Sequence, residues 1–273
     1  MQPLLGTFVE IGVVFNDTDK SRDDAIHIAI SQAFNAIALI QRLLSFHDPE
    51  SDLCKLNGAK CKWIILHPQS IRVLRLARAF TQASEHFFNC TVGGALVHEH
   101  ILPNHVGHAV LARGNAADIE LSQHSVRLRR SVLITLDGIA KGYAVDLAVQ
   151  TLQKHQITAG WINAGGDLRV FGNITLPVQR RELDDSLQFL GEVSNCAIAT
   201  STVDGVKEAR FPGRVVSGNH NVPQHGVWTT KAPYAWQADA LTKVASLAPV
   251  ERKLALIAKL GGQLICSQEL NAA

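Results

Sequence analysis

Residues 131–146 read SVLITLDGIAKGYAVD. The run SVLIT is strand-like, and from about Ile139 to Lys154 the apolar residues recur at helical spacing, so Leu136 to Gly138 is the junction between them. Gly138 and Gly142 bracket Lys141 at that junction. A glycine pair there has two readings. It can be a tight turn with a solvated lysine, or it can let backbone N–H groups, the positive end of the helix dipole and an ammonium meet a phosphate together.

Outward from this stretch, Thr7 to Phe15 alternates as a strand, and Ile26, Ile30, Ala33, Ile37, Ile40 and Leu44 mark one face of a long amphipathic helix. A short strand, WIIL at 63–66, precedes a helix that starts near Pro68. VRLRRSVLITL reads as strand material with a break, and WINAGG and DLRVFG read as two successive strands. Further strands are expected at 189–193, 196–200 and 226–231. Helices are expected around ADALTKVASL and at 250–260, where Gly261 and Gly262 stop the chain before a closing strand, QLICS. Residues 97–125 show little periodicity. Helices separated by hairpin-like strand pairs predict an α+β fold with a mixed or antiparallel sheet, in one compact unit over residues 1–273.

A chain of 273 residues with 47% hydrophobic content can bury a full core, and its formal charge of +2 comes from interspersed acids and bases. Without a basic run, nucleic acid is not expected as a partner. Cys54, Cys61, Cys90, Cys196 and Cys266 lack C-x-x-C spacing and read as reduced thiols. The first residues alternate like a strand and do not form a charged leader with an apolar core, and no stretch is long enough to span a membrane; a cytoplasmic location is expected.

Several familiar motifs are excluded. WINAGGDLRVFG lacks G-x-G-x-x-G and leads into a strand, GIAKG lacks the P-loop frame, and there is no G-x-S-x-G elbow. His98, His100, His105 and His108 fall within eleven residues without H-E-x-x-H spacing, open to reading as a metal cluster or as solvated loop histidines. Asp239, in WQADALTKV, is either a helix cap or first-turn charge, or a ligand for a hard metal ion.

Taken in order, PLLGTFVEI, SFHDPESDLCKLN, FNCTVGG, LDGIAKGYAVD, INAGGDLRVFG, and AIATS followed by APYAWQADAL resemble the motifs of the FAD:protein FMN transferase (ApbE) family. The resemblance runs from about residue 4 to residue 250. It implies a T-fold-like α+β enzyme whose sheet is covered by long amphipathic helices. Such an enzyme binds FAD, holds Mg²⁺ at its diphosphate and moves FMN to a threonine of an acceptor carrying a D-[ST]-G-A-[ST]-[ST] motif, with release of AMP. Carried onto this sequence, the resemblance implies catalytic roles for Lys141 and Asp239, and metal ligands at Gly138 (main chain), Asp239 and Thr242. It implies FAD contacts at Leu5, His47, Phe87, Phe88, Asn89, Thr135, Asp137, Lys141 and Val216.

Four positions depart from the pattern. Thr135 stands where the family has aspartate, with Asp137 two residues on, and Lys243 stands where it has a threonine ligand. A protonated lysine cannot ligate Mg²⁺, but its ammonium can supply charge where a metal would otherwise sit. In RVVSGNHN at 214–221, Arg214 and Ser217 replace the histidine and aspartate that assist proton removal, with His220 nearby. These departures leave a second reading open, a FAD-binding homologue that has lost transfer.

Overall fold

The structure, a computed structural model, describes residues 1–14, 21–203 and 222–265. Its centre is a seven-stranded sheet in which every neighbouring pair is antiparallel. In spatial order the strands are β1 (Gln2–Leu4), β2 (Thr7–Val14), β6 (Ala159–Ala164), β7 (Asp167–Phe171), β10 (Ala197–Val203), β11 (Gly226–Ala232) and β12 (Gln263–Ile265). A three-stranded sheet joins β3 (Ile64–Ile65), β5 (Ser125–Leu128) and β4 (Ile119–Leu121), and β8 (Thr175–Arg181) pairs with β9 (Leu187–Ser194) as a separate hairpin.

Two hairpins of the central sheet turn in two residues. Leu5 and Gly6 have φ of 56° and 70°, and Gly165 and Gly166 have φ of 59° and 98°. Positive φ at both turn positions matches the twist of the flanking strands, which is why glycine recurs there. The second of these turns gives GGD its meaning, because it fixes which face of β7 Asp167 occupies.

Strand alternation sorts the sheet into two faces. Ile162, Ala164, Phe171, Ala197 and Ala199 point into the main core with the helices, while Val170 and Ile198 pack with Leu190 and Val193 of the β8–β9 hairpin. Helices α1 (Ser21–Leu44), α5 (Ala140–Lys154) and α6 (Ala235–Leu247) cover the first face, with α5 between the other two. By the same alternation Asp167 of β7 and Ser201 of β10 belong to the helix-covered face, polar residues at the rim of an apolar core.

The expected elements are present with two differences. SVLIT is not a strand: Val132 to Leu136 is buried, with only an isolated bridge from Val132 to Leu111. Its backbone is satisfied by a side chain instead. The Asn57 amide donates to the Ile134 carbonyl at 2.9 Å and accepts from the Ile134 N–H at 2.8 Å, and the Thr135 N–H donates to the Cys90 carbonyl. The central sheet is antiparallel throughout, one of the two arrangements expected. The hairpin strand β8 and the short helix α4 (Gly93–His98) lie where sequence periodicity offered nothing. The other helices are α2 (Asp52–Gly58), α3 (Pro68–Ala83) and α7 (Val250–Lys259).

Candidate active site

Helix α6 is held from outside itself. The Asp146 carboxylate, at the middle of α5, accepts the N–H of Ala235 at 3.0 Å and of Trp236 at 2.9 Å, with Arg169 at 3.7 Å. It thereby caps the start of α6 from a neighbouring helix, where Tyr234 makes no side-chain cap. Burial pushes the Asp146 carboxyl up to about 6, against the pull of the two N–H donors and Arg169.

Gly142 makes this contact possible. A Cβ there would collide with the carbonyl of Ala235, so the second glycine of GIAKG is a packing glycine between α5 and the start of α6. The N–H groups of Ile139 and Ala140 donate to the Leu136 carbonyl. Gly138 has a different neighbour: a Cβ at that position would meet Lys243 Cε at 3.0 Å and the Phe88 ring at 3.3 Å. The first glycine therefore leaves room for the Lys243 stem.

Asp239 lies in the second turn of α6, so it is not the cap of its helix; that role belongs to Asp146. Its Oδ1 lies 2.7 Å from Lys243 Nζ, one turn on. The same ammonium lies 3.1 Å from Thr242 Oγ1, 3.2 Å from Ser201 Oγ and 3.4 Å from the Asp239 carbonyl. Thr242 and Ser201 hydroxyls are in contact at 2.7 Å, and Thr242 also donates to the Asp239 carbonyl at 2.7 Å. Beside this group, Lys141 Nζ pairs with Asp167 Oδ2 at 3.3 Å. Asp167 Oδ2 and Asp239 Oδ2 are both buried without a hydrogen bond.

The four charges are electrostatically joined. Burial, and next the Asp239 charge, push the Asp167 carboxyl up, against the pull of Lys141 and Lys243. Burial acts to lower the Lys141 pKa, but Asp167 and Asp239 outweigh it and hold the ammonium above the usual lysine value. Their exposures are unequal in an informative way. The carboxylate side chains are 2% and 3% exposed, while Lys141 is 29% and Lys243 is 21% exposed. The two carboxylates are enclosed, while part of each lysine side chain reaches solvent.

Asp137 is exposed and lies within reach of the charges of His47, Lys243 and Asp239. It accepts a hydrogen bond from Thr135 Oγ1 at 3.0 Å; burial raises its pKa, while Thr135, His47 and Lys243 pull it down. His47, Thr135, Asp137, Gly138, Phe88, Lys141, Asp239 and Thr242 are thus gathered around one place.

Other expected contacts are placed differently. Phe87 is buried in the core, and the Asn89 amide is engaged within the chain, accepting from Thr91 and donating to the Gly114 carbonyl. Leu5 stands in the β1–β2 turn, its N–H donating to Gln41 Oε1. Val216, Arg214, Ser217 and His220 lie outside the described residues. His105 bonds the Phe46 carbonyl at 3.0 Å, and among the described residues no three His, Cys, Asp or Glu groups gather as a metal site, so the 98–108 histidines do not form one.

Asp167, Ser201 and Asp146 had not been singled out in the sequence. For Asp167 and Ser201 a signal existed, since alternation from the core positions Phe171 and Ala199 puts each of them on the helix-covered face. Asp146 carried no local signal, because the helix it caps begins 89 residues later.

A divalent cation does not fit the expected ligands as they are arranged. Lys243 Nζ stands among Asp239 Oδ1, the Asp239 carbonyl and Thr242 Oγ1, so a resident Mg²⁺ would have to displace a like-charged group. Asp239 Oδ2 and Asp167 Oδ2 remain without a hydrogen bond, but each carboxylate already faces an ammonium, and two such oxygens beside two like-charged groups are not a magnesium site.

A family model described as the ApbE family matches residues 5–266. A FAD:protein FMN transferase from Klebsiella pneumoniae (strain 342) is 24% identical over 175 residues, which cover 59% of this chain and 53% of that protein. The match therefore spans about half the length of this relative. The flavin transferase ApbE from Vibrio cholerae shares the fold with a TM-score of 0.75 at 17% identity, covering 93% of this chain and 88% of its own. The ApbE protein of Thermotoga maritima gives 0.78 at 24%, covering 96% and 91%.

Proposed function

The chain belongs to the ApbE family, and from that premise we propose that it is a FAD:protein FMN transferase, moving FMN from FAD to a threonine of an acceptor protein with release of AMP. The observation that carries this reading is the lysine pair above the buried carboxylates, Lys141 on Asp167 and Lys243 on Asp239. Burying two carboxylates costs several kcal/mol each unless they are paired, and pairing each with a partly exposed lysine fixes two ammonium groups in place. The diphosphate of FAD is the matching ligand class.

In the proposed reaction the threonine Oγ attacks the phosphorus of the FMN half. A new Oγ–P bond forms, the bond from that phosphorus to the bridging oxygen breaks, and the oxygen leaves with AMP while the threonine proton passes to solvent water. Negative charge moves onto the bridging and non-bridging oxygens as this happens. Lys141 and Lys243 are held by their carboxylates before the substrate arrives, so their charge needs little reorganisation at the moment of transfer. Asp137 and His47 are exposed beside this group.

The acceptor is proposed to carry a D-[ST]-G-A-[ST]-[ST] segment, a sequence that this chain does not contain. The test is to incubate the protein with FAD and such an acceptor and record its intact mass. An added FMN, absent when the target threonine is alanine, supports transfer. FAD bound with no adduct would instead support the binding-only homologue.

A further inference from the structure

We propose that Lys243 is a built-in cation: its ammonium occupies the position in the diphosphate site that a divalent metal would otherwise take, so that this protein holds FAD without Mg²⁺. This rests on the FAD reading above and goes further, to the cofactor requirement of the site.

Four oxygens surround Lys243 Nζ: Asp239 Oδ1 at 2.7 Å, Thr242 Oγ1 at 3.1 Å, Ser201 Oγ at 3.2 Å and the Asp239 carbonyl at 3.4 Å. An all-oxygen cage of carboxylate, hydroxyl and carbonyl is the donor set of a hard cation, but these separations are those of N–H···O bonds and not the ~2.1 Å that Mg²⁺ demands. An ammonium is a compact charge with three donors and no acceptor, so it can donate to three of these four oxygens while its charge also acts on a group beyond them. The chain shapes the cage for it. Lys243 follows Asp239 by one turn of α6, and Gly138 leaves the space beside its stem, where a Cβ would stand 3.0 Å from Cε.

The site is also charge-balanced with the lysine in place. Lys141 faces Asp167 and Lys243 faces Asp239, and a dication added to this set would meet two ammonium groups. A lysine is moreover always present, so its charge does not vary with metal supply.

The experiment has two arms. In the first, Mn²⁺ is added to the protein without flavin, and bound metal is read by electron paramagnetic resonance. The wild-type protein is expected to take up none at this site, and Lys243→Thr, which replaces the ammonium by a hydroxyl, is expected to take up one equivalent. Stoichiometric Mn²⁺ on the wild-type protein that Asp239→Asn abolishes would overturn the proposal.

In the second arm, FAD affinity is measured by flavin fluorescence in EDTA and in Mg²⁺. Wild-type affinity is expected to be the same in both, and a tenfold or greater gain with Mg²⁺ would overturn the proposal. Lys243→Met, which keeps the stem, is expected to weaken FAD roughly 10- to 100-fold in EDTA, the size of a lost charge-assisted contact. Undiminished affinity in that variant would also count against the proposal. If the wild-type protein binds no FAD under either condition, the transferase reading fails, while the Mn²⁺ arm still decides whether the cage excludes a dication. Wild-type Mn²⁺ uptake decides it even where Lys243→Thr does not fold.

Discussion

Lys243 Nζ and Asp239 Oδ1 stand 2.7 Å apart on successive turns of α6, with the carboxylate 3% and the lysine 21% exposed. An i, i+4 pair on a helix surface contributes a few tenths of a kcal/mol, but here one partner is buried and its other oxygen has no hydrogen bond. The pair is therefore read as a device for holding charge in place, and several expectations follow from what surrounds it.

Lys141→Ala removes the ammonium that faces both Asp167 and Asp239. FAD affinity is expected to fall at least tenfold, about 1.4 kcal/mol or more, by fluorescence titration. The far-ultraviolet circular dichroism should stay that of the wild-type protein. Unchanged affinity would place the diphosphate elsewhere.

The two glycines of GIAKG are expected to behave oppositely on substitution. Gly142→Ala drives a methyl group into the Ala235 carbonyl and should cost about 1–3 kcal/mol in urea unfolding, the range for overpacking. Gly138→Ala meets chiefly the flexible Lys243 stem at 3.0 Å, so stability should change by less than about 1 kcal/mol while FAD affinity falls.

Asp146→Ala removes both acceptors at the start of α6 and leaves Arg169 unpaired, at an expected cost of about 1–3 kcal/mol. The cost should depend on pH. The folded carboxyl is raised from 3.8 to about 6, above its unfolded value, so its contribution is full below about pH 4 and declines as pH rises through about 6. The wild-type advantage over the variant in urea unfolding should be larger at pH 4 than at pH 7.

Among the described cysteines Cys61 is exposed, while Cys90 is buried and burial pushes its thiol up to about 11. Iodoacetamide at pH 8 should label Cys61 within minutes and leave Cys90 unlabelled until denaturant is added, as read by peptide mass mapping. Rapid native labelling of Cys90 would contradict the packing around it.

How much of this was legible in the sequence depends on how local the cause was. The helices and most strands follow from periodicity, and the place of Lys141, Asp239 and Lys243 was visible in the ordered motifs. SVLIT misled because its β-branched residues are apolar for burial on all sides, and its backbone is satisfied by Asn57, 77 residues away. The cap on α6 was hidden for the same reason. The second glycine of GIAKG looked like part of a phosphate cradle; only the contact with Ala235 shows it to be a helix-packing position. The charges that act on Asp137 come from His47, Asp239 and Lys243 on other segments, and no single stretch encodes that.

The central claim is that the two ammonium groups receive the diphosphate of FAD, and the most direct measurement compares the affinities of FAD, ADP and riboflavin by titration calorimetry. The account predicts that FAD binds, that ADP competes with it, and that riboflavin, which has no phosphate, binds at least about 100-fold more weakly than FAD. Riboflavin binding as tightly as FAD, with no competition from ADP, would contradict it.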